Sequence, residues 1–320
     1  VEKLEIKEFS DNEEIINKEV YIKTIEEGTT KTGNTFLKGE LTDGVKTMQY
    51  KLWNTAESFN YVLNNKDEIM QNPVINISGK ANIFNNSCSI IIENVNYIDI
   101  ERTREDYLPR CKEEVIADFK EVLARNLTET GKSIVNLIFQ KDNIGTRFIE
   151  EFAGAKMHDA RVHGLLNHTR KMMNILETLF KNDERLETIR PHIKDLMFLG
   201  ILVHDIGKIY EMNFGVYTEY SYVGHKTFGV ELIKELENEI VEAYSKDFYY
   251  QILAIIEGHH GEFEQLPRTI AAQLIHYIDM LESQTTGILD SLEREEHSVN
   301  ATGKILKRAT SAGKFYTITL

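Results

Sequence analysis

The residue types best suited to metal-assisted hydrolysis are concentrated in one part of this 320-residue chain: all ten histidines lie after residue 150. The most specific element is LVHDIGKIYE, in which His204 and Asp205 stand side by side near the end of an apolar helical run. A neutral imidazole and a carboxylate both ligate divalent first-row metals, and a carboxylate has two oxygens with which to bridge a pair of ions. Gly207 allows a neighbouring segment to come close, and Lys208, one helical turn after His204, can hold a phosphate oxygen as a point charge.

An isolated His-Asp pair usually sits at a helix end or on a surface. Its meaning here comes from the order of further candidates: His168 in GLLNHT before it, then His225 in VGHKTFG, His259 and His260 in EGHHGEF, and Asp279 in IHYIDMLES after it. Each lies at the end or on the inner face of a helical segment flanked by apolar residues, where an unligated polar group is costly to bury. As a set they form a candidate binuclear coordination shell with supporting partners. His276, one turn before Asp279, is expected in a supporting or packing role. The cysteines, Cys88 and Cys111, lack metal-ligand spacing, so neither a disulfide framework nor a thiolate zinc site is expected. Any metal is left to histidines and carboxylates.

Two kinds of element must position these residues. Up to residue 100 the chain reads as five strands, over 20–27, 34–44, 46–54, 73–84 and 87–100, separated by Gly, Asn and Asp turn signals. Alternation in the third strand puts Met48, Tyr50 and Leu52 on one face and Thr47, Gln49, Lys51 and Trp53 on the other. Between the third and fourth strands, AESFNYVLNNKDEIM suits a short helix, which gives the plan of an OB-fold barrel. Near ERTREDYLPRC the pattern turns helical. Apolar residues three or four apart then mark segments 111–127, 131–143, 144–154, 165–182, 192–212, 227–244, 248–260 and 269–292. The expected fold class is therefore α+β in two domains, a five-stranded OB-fold followed by an all-α domain. The expected borders are 1–100 for the barrel, 101–150 for a helical linker region, 151–300 for the catalytic domain and 301–320 for a turn-rich tail that ends as a strand or an extended arm.

The order His168, His204-Asp205, His225, His259-His260, Asp279 resembles the HD superfamily of metal-dependent phosphohydrolases, in its binuclear branch. More closely, KMHDARVHGLLNHT, LVHDIGKIYEM, EGHHGEF, LPRTIAAQLIHYIDMLES and the tetrapeptide YLPR resemble the YhaM-type 3′-5′ exoribonucleases, which pair an N-terminal OB-fold with a C-terminal HD domain. The chain departs from that pattern at His158-Asp159, where the family has two histidines, at His163, where it has glycine, and over about the last twenty residues. The resemblance implies hydrolysis of single-stranded RNA from its 3′ end to nucleoside 5′-monophosphates, with single-stranded DNA as a further substrate class. In this assignment His168, His204, Asp205 and Asp279 hold one ion, and Asp205 bridges to a second held by His225 and His259. Asp205, Lys208 and His260 take the catalytic roles, Lys208 as phosphate anchor and His260 as a further ligand or a donor to the leaving oxygen. Two manganese ions are the favoured cofactor, with iron, cobalt or magnesium left open. The barrel would bind the strand through Phe36, Lys38, Lys51 and Trp53, although Trp53 is equally suited to plugging a barrel end. Tyr50 and Phe84 are expected in the core.

Bulk properties bound the alternatives. A net charge of −14 argues against a broad basic surface that coats nucleic acid and leaves room for a narrow basic channel. No apolar run approaches the roughly 20 residues that cross a bilayer, and the acidic start is unlike a secretory signal, so a soluble cytoplasmic protein without a membrane partner is expected. Self-association into a homo-oligomer is left open. The competing functions are an HD-type nucleotide or cyclic-dinucleotide phosphohydrolase and a non-catalytic single-strand-binding protein. No Gly-Tyr-Pro segment follows the second histidine pair, which speaks against the cyclic di-GMP branch.

Overall fold

The computed structural model describes residues 2–7, 9–30, 32–44, 46–71, 74–84, 87–98, 104–155, 159–295, 305–307 and 314–316. It divides into two compact units, residues 1–110 and 111–320.

The first unit is built on β1 (Glu2–Lys3), β2 (Glu14–Ile22), β3 (Glu26–Thr29), β4 (Thr35–Thr42), β5 (Thr47–Trp53), β6 (Val74–Phe84) and β7 (Ser87–Ile98). Five of these strands pair in a ring. From β2 the pairings run to β6 and β7, cross to β5 by a parallel ladder, pass to β4 and return to β2 through Tyr21↔Thr42 and Ile22↔Leu41. The expected helix between the third and fourth strands of this ring is present in two pieces, α1 (Phe59–Asn64) and α2 (Lys66–Gln71). Alternation explains which face is inside. In β5 Tyr50 and Leu52 are buried beside Leu37 and Leu41 of β4 and Ile90 and Ile92 of β7, while Thr47 and Gln49 are exposed.

Two expectations are revised here and one holds. The first ring strand begins at Glu14 rather than Val20, because a bulge between Ile15 and Lys18 lets the earlier residues keep pairing with β6, and EEGT forms the separate edge strand β3. Tyr50 belongs to the core, its hydroxyl donating to the Thr24 carbonyl at 3.0 Å. Phe84 does not: at the end of β6, where no strand covers it, it is 71% exposed.

The second unit is helical: α3 (Glu114–Asn126), α4 (Glu129–Gln140), α5 (Ile144–Glu150), α6 (Gly164–Asn182), α7 (Glu184–Glu187), α8 (Pro191–Val203), α9 (Lys208–Glu211), α10 (His225–Lys234), α11 (Glu237–Ala243), α12 (Lys246–Gly258) and α13 (Ile270–Glu295). Helix α8 is apolar all round and buried from Asp195 to Val203, as befits a helix at the centre of a domain; α3, α4, α6, α12 and α13 pack on it. Its one buried carboxylate, Asp195, accepts from the Thr128 amide at 2.9 Å and from the Tyr244 hydroxyl at 2.7 Å. Helices α3 to α5, expected as a linker region, put Phe119, Val122, Ile134, Ile138 and Phe148 into the same core as α6 and α8, and so are structural members of this unit.

The run expected as one helix over 192–212 breaks after Val203. A tight turn carries His204 to Gly207 before α9 begins. Gly207 lets the start of α10 pack against this turn, because a Cβ there would sit 1.9 Å from the His225 carbonyl oxygen. A two-stranded hairpin, β8 (Met212–Asn213) with β9 (Val216–Tyr217), follows α9; in the tail β10 (Ile305–Lys307) pairs with β11 (Lys314–Tyr316). Among the described residues no helix is long and apolar enough to cross a membrane.

Candidate active site

Five helix ends and one helix face of the second unit converge on Asp205. Its two carboxylate oxygens point to different partners: Oδ2 lies 3.4 Å from His204 Nε2 and 3.8 Å from His168 Nε2, whereas Oδ1 lies 3.3 Å from both His225 Nε2 and His259 Nε2. Asp279, on α13, reaches His168 Nε2 at 3.3 Å. Two groups of potential ligand atoms result, His168 with His204 and Asp279, and Asp205 with His225, His259 and His260. Asp205, His204 and His259 are at most 3% exposed and His168 is fully buried.

The imidazoles are oriented from behind. His204 Nδ1 donates to the Ile201 carbonyl and His259 Nδ1 to the Ile256 carbonyl, both at 2.7 Å. A carbonyl only accepts, so the proton sits on Nδ1 and the Nε2 lone pair faces the centre. The same service comes from carboxylates for His225, held by Glu211 at 2.8 Å, and for His168, held by Glu282. His276 donates to the carbonyl of His259 at 2.7 Å, which matches its expected supporting role. His260 is more exposed and is held by Glu264 at 2.8 Å, with its ring centre 4.2 Å from that of His259 and 5.1 Å from that of His225.

Among the described residues, three buried atoms at the centre, Asp205 Oδ1, His225 Nε2 and His259 Nε2, have no hydrogen-bond partner. Leaving such groups dry and unpaired costs about 1–3 kcal/mol each. A divalent cation accepts lone pairs from both a carboxylate oxygen and a neutral imidazole, so this donor set fits a metal ion. No thiol belongs to either group.

Charge is strongly biased in this pocket. Burial penalises the Asp205 carboxylate, but Lys208 and then His204 outweigh that and hold it well below the usual carboxylate range. Burial also works against an imidazolium at His168, yet Glu282 and Asp279 raise it to about 10. At His259 burial prevails over Asp205 and lowers it to about 4. Lys208 bonds Asp205 Oδ2 and the Ala153 carbonyl, both at 2.6 Å, and is pushed up by that carboxylate despite burial. An open cleft of about 300 Å³ leads to the centre, lined by Asp205, Lys208, His259, His260, Asp279, Met280 and Ser283.

All the residues singled out from the sequence as ligands thus meet at one place. Of the positions where the chain departs from the family pattern, His158 lies outside the described residues. His163 precedes α6 with φ 65° and bonds the Ile149 carbonyl through Nδ1 at 2.7 Å, away from the two ligand groups. Sequence reasoning missed Glu211, Glu282, Lys171 and Glu264. Helical spacing held the signal for three of them: Glu282 follows Asp279 by three residues, Lys171 follows His168 by three, and Glu264 follows His260 by four.

The residues proposed for nucleic acid lie in the first unit, on the outer face of β4 and β5. Phe36 is directly opposite Trp53 and Lys38 directly opposite Lys51. The two aromatic rings are 5.0 Å apart, and Lys51 Nζ lies 5.9 Å from the Trp53 ring. Trp53 is half-buried on the outer face of the sheet, so it does not plug the interior.

Comparison with known proteins agrees with this geometry. Residues 165–284 match the HD domain family. The chain is 27% identical over 294 residues to the 3′-5′ exoribonuclease YhaM of Oceanobacillus iheyensis, covering 85% of each protein. It is 23% identical over 294 residues to YhaM of Bacillus subtilis, covering 88% of each, and 24% identical over 298 residues to YhaM of Bacillus licheniformis, covering 85% of this chain and 86% of the relative. No solved structure matches the chain. Residues 165–284 of its second unit thus match an HD domain, and over most of its length the chain is similar to proteins named 3′-5′ exoribonuclease YhaM.

Proposed function

We propose that this protein is a metal-dependent 3′-5′ exoribonuclease that hydrolyses single-stranded RNA to nucleoside 5′-monophosphates, with single-stranded DNA as a further substrate class. The observation that carries the reading is Asp205, whose two oxygens address separate histidine groups while its buried Oδ1 and the two buried nitrogens His225 Nε2 and His259 Nε2 lack hydrogen-bond partners among the described residues. Its relatives' names supply the class, phosphodiester hydrolysis on RNA.

In this reading His168, His204, Asp205 and Asp279 would hold one ion, and Asp205, His225 and His259 a second, with manganese favoured for a mixed imidazole and carboxylate shell. Divalent ions held by these residues would supply positive charge for the phosphoryl oxygens and a more acidic water. The chain's own groups do the rest. Lys208, in the cleft wall, exchanges its contact with the Ala153 carbonyl for a phosphate oxygen and fixes the scissile group. His260, held at Nδ1 by Glu264, presents its other nitrogen to the leaving oxygen. The buried Nδ1 bonds of His204 and His259 keep both rings from turning as charge develops, so little reorganisation is needed during reaction. The first unit binds the strand behind the reacting end through the Phe36–Trp53 pair and the lysines beside it, as on the binding face of an OB-fold. It adds contacts that a free nucleotide could not use, which favours a polynucleotide over a nucleotide or cyclic-dinucleotide substrate.

The test incubates manganese-loaded protein with 5′-labelled single-stranded RNA, DNA of the same sequence and a panel of nucleotides. A ladder shortening from the 3′ end with release of 5′-monophosphates is expected. Nucleotide turnover without a ladder, or binding without cleavage, refutes the proposal.

A further inference from the structure

Behind the ligand groups lies a buried polar cluster that neither ion would touch. Lys171 leaves α6 one turn after His168 and donates to three acceptors at 2.7 Å: Asp159 Oδ2, Glu282 Oε1 and Thr286 Oγ1. An ammonium has three N–H bonds, so its donors are all used. The carboxylates of Asp159 and Glu282 are only 3% and 2% exposed.

Two lines of contact start at this ammonium. One passes through Glu282, whose other oxygen takes the Nδ1 side of His168 and so aims Nε2 at Asp205 and Asp279. The other passes through Asp159, which also accepts from Asn167 Nδ2 at 3.0 Å and whose carbonyl accepts the Ala153 amide at 3.2 Å. The Ala153 carbonyl in turn accepts from Lys208, which bonds Asp205. The two lines rejoin at Asp205.

We infer that Lys171 is a positioning residue for the metal group, acting through Glu282 on His168 and through Asp159 and Ala153 on Lys208. The inference rests on the metal-dependent reading of the site. Burial is what gives it force: without Lys171, two carboxylates would share a dry space with no cation between them, and both could not keep their places. Glu282 would swing away from Asp159, and His168 would lose its partner. A lysine present only for charge balance would behave oppositely, because it repels cations and its removal would tighten metal binding. The sign of the change separates the two roles.

The experiment titrates metal-stripped full-length protein with Mn2+ alone and reads the free ion by its EPR signal. It compares wild type, Lys171→Met, Glu282→Gln, the double variant and Arg125→Met. The last removes an ion pair to Glu177 on the same helix, α6, and reports the effect of lost stability alone. Supporting partners of metal ligands are worth about 10–100-fold in affinity, and each of the first two single variants should lose that much. The double variant should be no more than about threefold weaker than the worse single, because both act through His168. Arg125→Met should lower the melting temperature and leave Mn2+ affinity unchanged. Wild-type or tighter affinity in folded Lys171→Met overturns the assignment. If that variant does not fold, the isosteric Glu282→Gln decides, and wild-type affinity there overturns it equally. Absence of Mn2+ binding by wild type refutes the metal reading itself, whereas normal wild-type binding with unchanged variants refutes only the role of Lys171.

Discussion

Asp205→Asn is the most informative single change. It keeps side-chain volume and one carbonyl oxygen but removes the charge that faces His204 and His168 on one side and His225 and His259 on the other. A ligand that binds only the folded state stabilises it by about 2.7 kcal/mol at a hundred times its Kd. For a domain of 150–250 residues each kcal/mol moves Tm by about 2–4 °C, so wild type should gain roughly 5–11 °C at that Mn2+ concentration. The amide offers one neutral donor where the carboxylate offers two anionic ones, and the variant should gain less than about 2 °C at the same concentration. Thermal unfolding followed by circular dichroism, with Mn2+ and with chelator, measures both shifts. A variant that keeps the full wild-type gain would show that the metal binds elsewhere or that Asp205 is not the shared ligand.

Trp53→Ala should weaken binding of single-stranded RNA about 5–150-fold, the loss of one stacked base, as read by fluorescence anisotropy; unchanged affinity would remove the β4–β5 face from consideration. Gly207→Ala places a methyl 1.9 Å from the His225 carbonyl and should cost about 1–3 kcal/mol in urea unfolding while also lowering Mn2+ affinity; a neutral result would mean that the turn adapts freely. Away from the site, the hydrogen bond from Arg125 holds the Glu177 carboxyl down at about 2. A lowered carboxylate stabilises the fold above its unfolded value near 4.3 and loses that contribution as pH falls toward 2. With Arg125 44% exposed and screened, the advantage of wild type over Glu177→Gln should be about 1–2 kcal/mol at pH 7 and vanish near pH 2; an advantage that grows on acidification would contradict the pairing.

The ligand residues were legible from sequence because each sits at a helix end or on a helix's apolar face, where a histidine or aspartate stands out against its neighbours. His204-Asp205, read from sequence as the centre, does lie where the candidate ligands converge, yet the helix containing it was drawn straight through the turn. The cause is that the apolar run FLGILV leads into the turn without a proline or a cluster of polar turn residues, and the close approach of the His225 carbonyl to Gly207 is not a local signal. Glu282 and Glu211 escaped notice for the opposite reason: a glutamate on a polar helix is common, and only burial against His168 and His225 reveals its use. In the first unit, alternation identified the inward side of β5 but misplaced Phe84, since pattern alone does not tell the end of a hairpin from its middle. The pairing of Phe36 with Trp53 and of Lys38 with Lys51 is a matter of register, which two separated strands do not encode individually.

The two ways in which the imidazoles are held have different evolutionary exposure. His204 and His259 lean on carbonyls of their own helices, at Ile201 and Ile256, and no side-chain substitution at those positions can delete the acceptor. His168 and His225 lean on Glu282 and Glu211, each removable by one codon change. Each ligand group therefore contains one histidine anchored against mutation and at least one whose anchor can drift, the second group having two, His225 and His260. Divergence among such proteins should collect at the glutamates and at Lys171 behind them, leaving the turn and helix end that carry His204 and His259 comparatively fixed.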